Sequence, residues 1–331
     1  MDFELSNDQV ALAEGMRRLC AGRFSLERLR AAEGTADAVD QPGWAELGEA
    51  GVFSLRTSGE SGLGLGMAEA AVVFEELGRA LVPGPLVATH LAATFGVADG
   101  AATGQAVVGS VRRPGSGPLD AVAPVVLEHL GSLTKLIVVD DEGLWVVDPS
   151  EVGAEPIERS LDPLTPLWRV DRLPSGEPIA GTSRADSVLW GRSEVVLTGA
   201  MCVGIASATL DLAVEYAKQR EQFGRPIGSF QAVKHLCADM LVRVETARAA
   251  VLAAAVTSDE SDVGDPERSA AGAGILATEA ALANGRACIQ VHGGMGFTWE
   301  VPVHLYLMRA RVLDLGIGPV GELAEIVAER Y

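Results

Sequence analysis

Residues 216–240 read YAKQREQFGRPIGSFQAVKHLCADM, and this stretch decides the fold. The pattern predicts the end of one long helix, a tight loop and the start of a second helix. Two glycines allow the backbone to turn, and Pro226 prevents the first helix from continuing. Arg220 and Arg225 place two cations in the loop, and a cationic helix junction suits a bound anion such as a phosphate. The same pattern also fits an ordinary helix–loop–helix with surface arginines.

A second stretch, residues 289–311, reads IQVHGGMGFTWEVPVHLYLMRAR. Because its glycines lack a Cβ, backbone amides there can approach a dinucleotide closely. A single Gly-Gly-x-Gly run is more often only a loop. Its specificity comes from its pairing with the first stretch, roughly fifty residues upstream.

Length, composition and charge describe a globular protein with a large core. The chain has 331 residues, of which 48% are hydrophobic and 21% charged, and its net charge is −19. Nucleic acids and anionic membranes need a basic face, so we expect neither as a partner. No apolar run reaches the roughly 20 residues of a membrane span, and the chain opens without a signal-peptide pattern. These features predict a soluble, cytoplasmic protein.

The cysteines and histidines show no metal-binding pattern. The four cysteines are far apart and form no Cys-x-x-Cys pair, so we expect free core thiols. The five histidines lack metal-ligand spacing, and we expect no metal. The cysteines are Cys20, Cys202, Cys237 and Cys288.

Apolar periodicity divides the chain into three parts. Before residue 106 it predicts helices at residues 6–20, 42–51, 67–81 and 86–95. Short β-branched runs then predict strands around residues 107–108, 125–127, 136–139 and 144–147, the last two joined as a hairpin. Helices return at residues 193–218, 230–257, 266–292, 301–315 and 320–330. We therefore expect a helical domain at residues 1–105, a reduced β domain at 106–191 and a helical bundle at 192–331.

The two quoted stretches resemble signatures of the acyl-CoA dehydrogenase family. In that family Arg-x-Gln-Phe-Gly-x-Pro-Ile, followed by Phe-Gln-x-Val-Lys-His and Ala-Asp-Met, joins two helices of the C-terminal bundle. Gln-x-x-Gly-Gly-x-Gly-Phe forms the later loop. The resemblance implies a mainly α fold with a central β subdomain, a C-terminal four-helix bundle, and FAD as the cofactor.

In the family these segments hold the ADP half of FAD, and they do so for a neighbouring subunit's flavin. Carried over position by position, the resemblance implies seven cofactor-binding residues in three groups. They are Arg220, Gln222 and Phe223 near the pyrophosphate, Gln231 further along that loop, and Gln290, Gly293 and Gly294 near the adenylate end. Plain helix-junction packing is an equal alternative for Phe223 and Gln231.

The other half of the family's flavin site is where this sequence departs from the pattern. Family members carry Thr-Glu-Pro, then Gly-Ser-Asp, and a Trp-x-Thr/Ser strand in the β domain, where these groups cradle the flavin ring. Residues 108–117 instead read VGSVRRPGSG. Trp145 stands in a predicted strand without the motif, which favours a structural role for it.

The catalytic base is also displaced. The family's reaction removes an α-proton from an acyl-CoA thioester while hydride leaves the β-carbon for the flavin, so a positioned carboxylate is required. The position that most members give to this Glu is Ile317 here. A minority place the Glu ten residues before a glycine of the first bundle helix, and Glu194 precedes Gly204 by that spacing. The alternative is that Glu194 only complements the N-terminal dipole of its helix.

The sequence therefore predicts a chain that keeps the ADP half of the flavin site and has lost much of the ring half. The leading hypothesis is the smaller subunit of an α2β2 acyl-CoA dehydrogenase, paired with a larger acyl-CoA dehydrogenase-like subunit. By resemblance, its substrate is a bulky or steroid-derived acyl-CoA and its electron acceptor an electron-transferring flavoprotein. Two alternatives stay open: a self-sufficient enzyme with Glu194 as base, and a flavin-free scaffold subunit.

Overall fold

The computed structural model describes residues 4–33, 39–59, 62–113, 124–260 and 262–330. The chain forms two compact units. Unit 1 comprises Met1–Glu27, Met67–Val82 and Val195–Tyr331, and unit 2 comprises Arg28–Gly66 and Pro83–Glu194. Part of the segment 108–117 discussed above, residues 114–117, lies outside the described residues.

Helices make up most of the described chain. They are α1 (Asn7–Arg23), α2 (Leu26–Ala31), α3 (Gln41–Glu49), α4 (Met67–Arg79), α5 (Leu86–Thr94), α6 (Arg184–Gln219), α7 (Gln231–Asp259), α8 (Pro266–His292), α9 (Val303–Ile317) and α10 (Val320–Glu329). All nine helices that the periodicity predicts are confirmed, and α2 is an addition.

The helix ends follow from local side-chain chemistry. Ser6 and Gln9 form a reciprocal capping box at the start of α1, as the sequence predicts. At the start of α8 the Asp265 side chain accepts a hydrogen bond from the Arg268 amide, and Pro266 occupies the first turn.

The predicted start of α6 at residue 193 is wrong, because the helix begins at Arg184. Ser183 and Asp186 form a second box just before it: the Ser183 amide and hydroxyl both donate to the Asp186 carboxylate at 2.8 Å. This Ser-x-x-Asp pattern is a sequence signal for a helix start. Residues 184–191, which the sequence reading assigned to the β region, are therefore helical.

The strands of unit 2 form two small sheets. They are β1 (Val108–Arg112), β2 (Val125–Glu128), β3 (Lys135–Val139), β4 (Leu144–Val147), β5 (Glu155–Pro156), β6 (Leu167–Val170) and β7 (Glu177–Pro178). One sheet has the order β1-β3-β4-β7 and the other β2-β6-β5. The predicted hairpin is confirmed, since β3 pairs antiparallel with β4 and Leu136 faces Val147 across the ladder. Buried aliphatic side chains of both sheets, among them Leu127 and Val138, form one core.

In unit 1, a buried asparagine connects three helices. Asn284 of α8 is fully buried, and its amide donates to the carbonyl of Ala206 in α6 at 3.2 Å and to that of Met240 in α7 at 3.0 Å. Arg243 donates to its side-chain oxygen at 3.4 Å. A buried amide with every polar atom partnered fixes how these helices face one another.

Glycines let α4 and α6 pack closely within unit 1. A Cβ added to Gly204 of α6 would lie 1.9 Å from the carbonyl oxygen of Glu75 in α4. A Cβ added to Gly78 of α4 would lie 2.2 Å from the carbonyl oxygen of Met201 in α6. Both contacts are backbone contacts, so no side-chain movement can relieve a substitution at either position.

Helix α6 alone among the described helices is long and apolar enough to cross a membrane by length and composition. In the structure, 78% of its most apolar window is buried. Burial of this kind is typical of a core helix, so the membrane-span criterion is weak evidence here.

We predict that Gly204→Ala destabilises the protein, because the added methyl group meets the Glu75 carbonyl. The expected loss in the free energy of unfolding is about 1–3 kcal/mol, the usual cost of overpacking. Gly272→Ala in α8 is the matched control, since nothing lies within 4 Å of its added Cβ, and we expect it to be neutral or stabilising by up to about 1 kcal/mol. Denaturant unfolding of both variants measures this, and equal stabilities would contradict the close helix contact.

Candidate functional site

The loop at residues 220–229 is a tight hairpin between two helices of unit 1. Strands β8 (Glu221–Gln222) and β9 (Arg225–Pro226) pair antiparallel, and Gln222 faces Arg225. The two turn residues, Phe223 and Gly224, have φ values of +54° and +76°. A two-residue turn with both φ positive matches the twist of a β-hairpin.

Phe223 is in an unfavourable backbone conformation and is almost fully exposed. A bulky residue at positive φ is a genuine outlier, and such strain costs on the order of 1–3 kcal/mol. Its side chain is 92% exposed, so burial of the ring in its own chain does not compensate for this cost. Strained, exposed residues of this kind occur at binding sites, which makes Phe223 a candidate contact for another molecule.

The hairpin is held by contacts to the start of α7. The guanidinium of Arg225 lies over the ring of Phe230, 4.2 Å from its centroid, and Phe223 meets the same ring edge-on at 6.1 Å. The Ile227 amide donates to the carbonyl of Arg220 at 2.8 Å. These contacts fix the backbone of the hairpin while its outer side chains remain in solvent.

The second quoted stretch forms a short 3₁₀ helix, Gly293–Phe297, directly after α8. Gly293 has a φ of +59°, which only glycine adopts easily, and a Cβ added to Gly296 would lie 2.6 Å from the Ile289 carbonyl. Nothing lies within 4 Å of the Cβ positions of Gly293 and Gly294. The glycine backbone therefore faces open space within this chain and is accessible to a ligand.

The structure brings the two loops together within unit 1. Tyr216, in the last turn of α6, stacks on His292, the last residue of α8, with ring centroids 4.2 Å apart and an angle of 23°. Residues that flank both loops, such as Ala217 and Val291, share one buried apolar cluster. Segments that are far apart in sequence thus meet at one end of the helical unit, as a shared ligand site requires.

The predicted cofactor-binding residues are solvent-accessible. Within the described part of the chain the Arg220 side chain has neither an ion-pair nor a hydrogen-bond partner. Gln222 donates to the Glu221 carbonyl at 2.7 Å, and the Gln231 amide lies 3.4 Å from a ring nitrogen of His235. The exposed residues are Arg220, Gln222, Phe223, Gln231, Gln290 and Gly294, and Gly293 is partly exposed. An exposed cation on one loop and open glycine backbone on the neighbouring loop fit the diphosphate of a dinucleotide.

Glu194 lies in a different environment, in unit 2. The Ser110 hydroxyl of β1 donates to its carboxylate at 3.1 Å. Burial raises the pKa of the Glu194 carboxyl, and the nearby Arg112 guanidinium and the Ser110 hydroxyl oppose that rise. Arg112 itself lies against α6, where a Cβ on Gly191 would meet its guanidinium at 1.8 Å. Glu194 is thus partnered by two residues of β1, at the place where the sequence lacks the family's ring-binding motif.

The other residues considered for chemistry are structural. Ile317 is buried in a cluster with Ala271 and Leu323, so an apolar side chain fills the position that carries the base in most of the family. All four cysteines are free, and burial raises the pKa of Cys288 to about 12, which leaves it a protonated thiol. Among the described residues, no group of three His, Cys, Asp or Glu side chains could hold a metal.

Sequence reasoning missed three features of this region. Phe297 and Trp299 of the second loop are 82% and 61% exposed, although each belongs to a residue type that is usually buried. For Phe297 and Trp299, the available sequence signal was the presence of aromatic residues in the glycine-rich stretch. The Tyr216–His292 stack had no signal, because it joins residues from different segments.

Along the chain, helices precede and follow a small β region, and the second helical part carries a cationic hairpin and a glycine-rich loop. The acyl-CoA dehydrogenase C-terminal domain matches residues 192–331, and the acyl-CoA dehydrogenase N-terminal domain matches residues 6–102. These matches cover more than half of the chain, and the chain therefore belongs to the acyl-CoA dehydrogenase family.

Two curated relatives illustrate the match. FadE34 of Mycobacterium tuberculosis, an acyl-CoA dehydrogenase by name, is 38% identical over 303 residues, which are 87% of this chain and 42% of FadE34. IpdE2 of Mycolicibacterium smegmatis, also named an acyl-CoA dehydrogenase, is 34% identical over 332 residues, which are 99% of this chain and 100% of IpdE2. This chain thus spans less than half of FadE34 and the full length of IpdE2.

Solved structures confirm the predicted fold class. The ChsE4-ChsE5 complex from Mycobacterium tuberculosis has a TM-score of 0.85 at 23% identity, over 99% of this chain and 98% of that chain. A steroid ACAD variant, Tcur3481-Tcur3483, has a TM-score of 0.84 at 22% identity, over 97% of each chain. At these identities the likeness shows the fold alone, which is acyl-CoA dehydrogenase-like.

Family membership confirms the prediction of an oxidoreductase that acts on CH–CH bonds, and it supports FAD as the cofactor. The roles of Glu194 and of the seven cofactor-binding residues stay predictions, as does the three-domain division.

We predict that Phe223→Asn does not lower the stability of the protein and raises it by up to about 1 kcal/mol. Asparagine tolerates positive φ better than phenylalanine, so the substitution relieves strain while removing little buried surface. Phe223→Leu is the matched control, since leucine keeps the strain. Thermal unfolding compares the two variants with the parent. A marked loss of stability in the Asn variant would show that the ring supports its own chain.

Proposed function

We propose that this chain is the smaller subunit of a hetero-oligomeric, FAD-dependent acyl-CoA dehydrogenase, and that it supplies the ADP half of the flavin site. One contrast carries the proposal. The predicted ADP-binding residues of unit 1 are exposed, and Arg220 is without a partner among the described residues. The groups of unit 2 that replace the family's ring-binding motif are partnered with each other.

The exposed loops have the chemistry that an ADP group requires. The proposed pyrophosphate contacts are Arg220, Gln222 and Phe223, with Gln231 further along the same segment. Arginine is suited to this role because its planar guanidinium binds phosphate oxygens in pairs. At the adenylate end the contacts are Gln290, Gly293 and Gly294, where the absence of a Cβ leaves the backbone accessible.

The ring half of the site belongs to another polypeptide in this proposal. Bound FAD would supply a hydride acceptor for the β-carbon of an acyl-CoA; a protein base would take the α-proton, and a C=C bond would form between the two carbons. The Glu194 carboxylate of this chain is held by Ser110 and faces Arg112. This hydrogen bond holds the carboxylate within its own chain, although burial raises the pKa of the carboxyl, and in this proposal the base comes from the larger subunit.

Relatives support a larger acyl-CoA dehydrogenase-like partner. The ChsE4-ChsE5 structure is a complex of two differently named proteins. In FadE34 the matched residues are 42% of the protein, so more than half of that polypeptide lies outside the match and leaves room for a second part. We further propose that the two subunits form an α2β2 assembly and that this assembly is cytoplasmic. Its substrate is a bulky acyl-CoA of the steroid-derived kind, and its acceptor is an electron-transferring flavoprotein.

Co-purification tests the assembly. The tagged chain, produced with its candidate larger subunit, is expected to give a heteromeric complex that shows flavin absorbance and oxidises acyl-CoA. The chain alone is expected to hold little flavin. A homotetramer of this chain with full flavin and activity would contradict the split site. A complex with the larger subunit that shows no flavin absorbance would favour the flavin-free scaffold.

We predict that Arg220→Gln weakens FAD binding by the complex by about 10–100-fold, because it removes a hydrogen bond from a charged group. Lys218→Gln is the matched control: it removes one positive charge from the same helix end, and Lys218 is not a proposed contact. FAD titration of the flavin-stripped complex measures both affinities. Equal affinities would show that Arg220 acts only through net charge or not at all.

We predict that Glu194→Gln leaves turnover of the native complex within a few-fold of the parent and keeps the flavin. Loss of a general base costs about 10²–10⁴-fold, so the two outcomes are well separated. Ser110→Ala removes the same hydrogen bond without altering the carboxyl group and is expected to lower stability by about 1 kcal/mol. A loss of turnover in the Gln variant alone, with flavin retained, would instead support the self-sufficient enzyme with Glu194 as base.

A further inference from the structure

We infer that Tyr216 and His292 form a positioning pair that holds the cationic hairpin and the glycine-rich loop at a fixed separation. The inference rests on the proposed function, because both loops belong to the proposed ADP half-site. Neither residue is itself proposed as a flavin contact. Their role is to set the geometry of residues that are.

Each member of the pair is joined directly to one loop. The Arg220 amide donates to the Tyr216 carbonyl at 2.8 Å, so the hairpin begins on the residue that carries the stacked phenol ring. On the other side, His292 immediately precedes Gly293 and Gly294. Both rings are therefore carried by backbone that adjoins a loop.

The orientation of the His292 imidazole is fixed by Cys288 of the same helix. The Nδ1 atom of His292 lies 2.8 Å from the carbonyl oxygen of Cys288, one helical turn earlier, and 3.7 Å from the Cys288 sulfur. Because a carbonyl oxygen only accepts, Nδ1 carries the proton and Nε2 has the free lone pair. His292 is buried, and its ring is stacked on the Tyr216 ring at an angle of 23°. A ring with its tautomer and plane both set is a rigid support.

The composition of the surrounding cluster favours positioning over ordinary packing. The cluster that contains Tyr216 is otherwise built largely from aliphatic side chains such as Ala213, Met240 and Val303. Within the described part of the chain, neither the Tyr216 hydroxyl nor His292 Nε2 has a hydrogen-bond partner. The stacked rings give this part of the cluster a defined plane of contact, which a leucine side chain would not provide. Aromatic pairs prefer a small set of relative orientations, so the stack favours one relative placement of the two helix ends.

The test compares variants of the co-purified complex that keep or remove the stack. Tyr216→Phe and His292→Phe keep two flat rings, whereas Tyr216→Leu and His292→Leu remove one. Val303→Ala is the matched control, because it opens a hole in the same cluster and leaves both rings of the stack in place. The measurements are FAD affinity by titration of the stripped complex, thermal stability, and amide hydrogen exchange of both loops.

We expect each Leu variant to weaken FAD binding by about tenfold, within the usual range of coupling between sites. Each is also expected to speed exchange in both loops, including the loop that the substitution does not touch. The Phe variants are expected to stay within about threefold of the parent affinity. The Val303→Ala control is expected to lose thermal stability but to keep the FAD affinity and the loop exchange rates of the parent.

The outcomes separate the inference from the proposed function. If the Leu variants change exchange only in their own loop, or weaken FAD no more than the control does, the pair is ordinary core packing and the inference fails. Exchange is measured on the stripped complex, so this result stands whether or not flavin binds. If the parent complex binds no FAD, the proposed function fails, while coupled exchange of the two loops would still support the positioning pair.

Discussion

The close backbone contact between α4 and α6 is the constraint on which the rest of unit 1 depends. Gly78 and Gly204 are the positions where the two helix backbones approach to less than a side chain's width. Such contact is possible only where both helices present glycine, and it leaves no freedom to slide. It therefore fixes α6, the helix whose far end carries the cationic hairpin.

Charged residues of α4 extend this constraint to the neighbouring helices of the unit. Glu76 is buried and receives a bidentate ion pair from Arg17 of α1, and Glu75 pairs with Arg248 of α7 at 2.7 Å. Arg248 also donates to Ser207 of α6 at 2.8 Å. Buried or half-buried pairs with several hydrogen bonds specify geometry more than they add stability. Together with Asn284, these ion pairs hold α6, α7 and α8 in one arrangement. That arrangement determines the positions of the loops at the helix ends.

The sequence predicted the parts of the structure that depend on local pattern. Helices such as α8 follow from apolar periodicity and an Asp265-Pro266 start, and the motif residues identified both loops. It did not predict properties that depend on which segments meet. Apolar periodicity does not locate the start of α6, which the Ser183-x-x-Asp186 pattern marks instead. The stack of Tyr216 on His292 and the near-complete exposure of Phe223 are tertiary facts, since neither residue type nor spacing determines what faces it.

The exposed end of unit 1 is energetically unfavourable for an isolated chain, which indicates that another molecule binds there. Phe223 is strained and exposed, Phe297 and Trp299 are large and exposed, and Arg220 is an unpaired cation among the described residues of a chain with a net charge of −19. Arg220 is exposed, so it is available to an anion from another molecule. The interior of the same chain pairs its buried charges, as Arg113 and Asp140 do at 2.9 Å. Charges satisfied inside and left open at one end are expected where the missing partners, an anionic group and an apolar surface, arrive with another molecule.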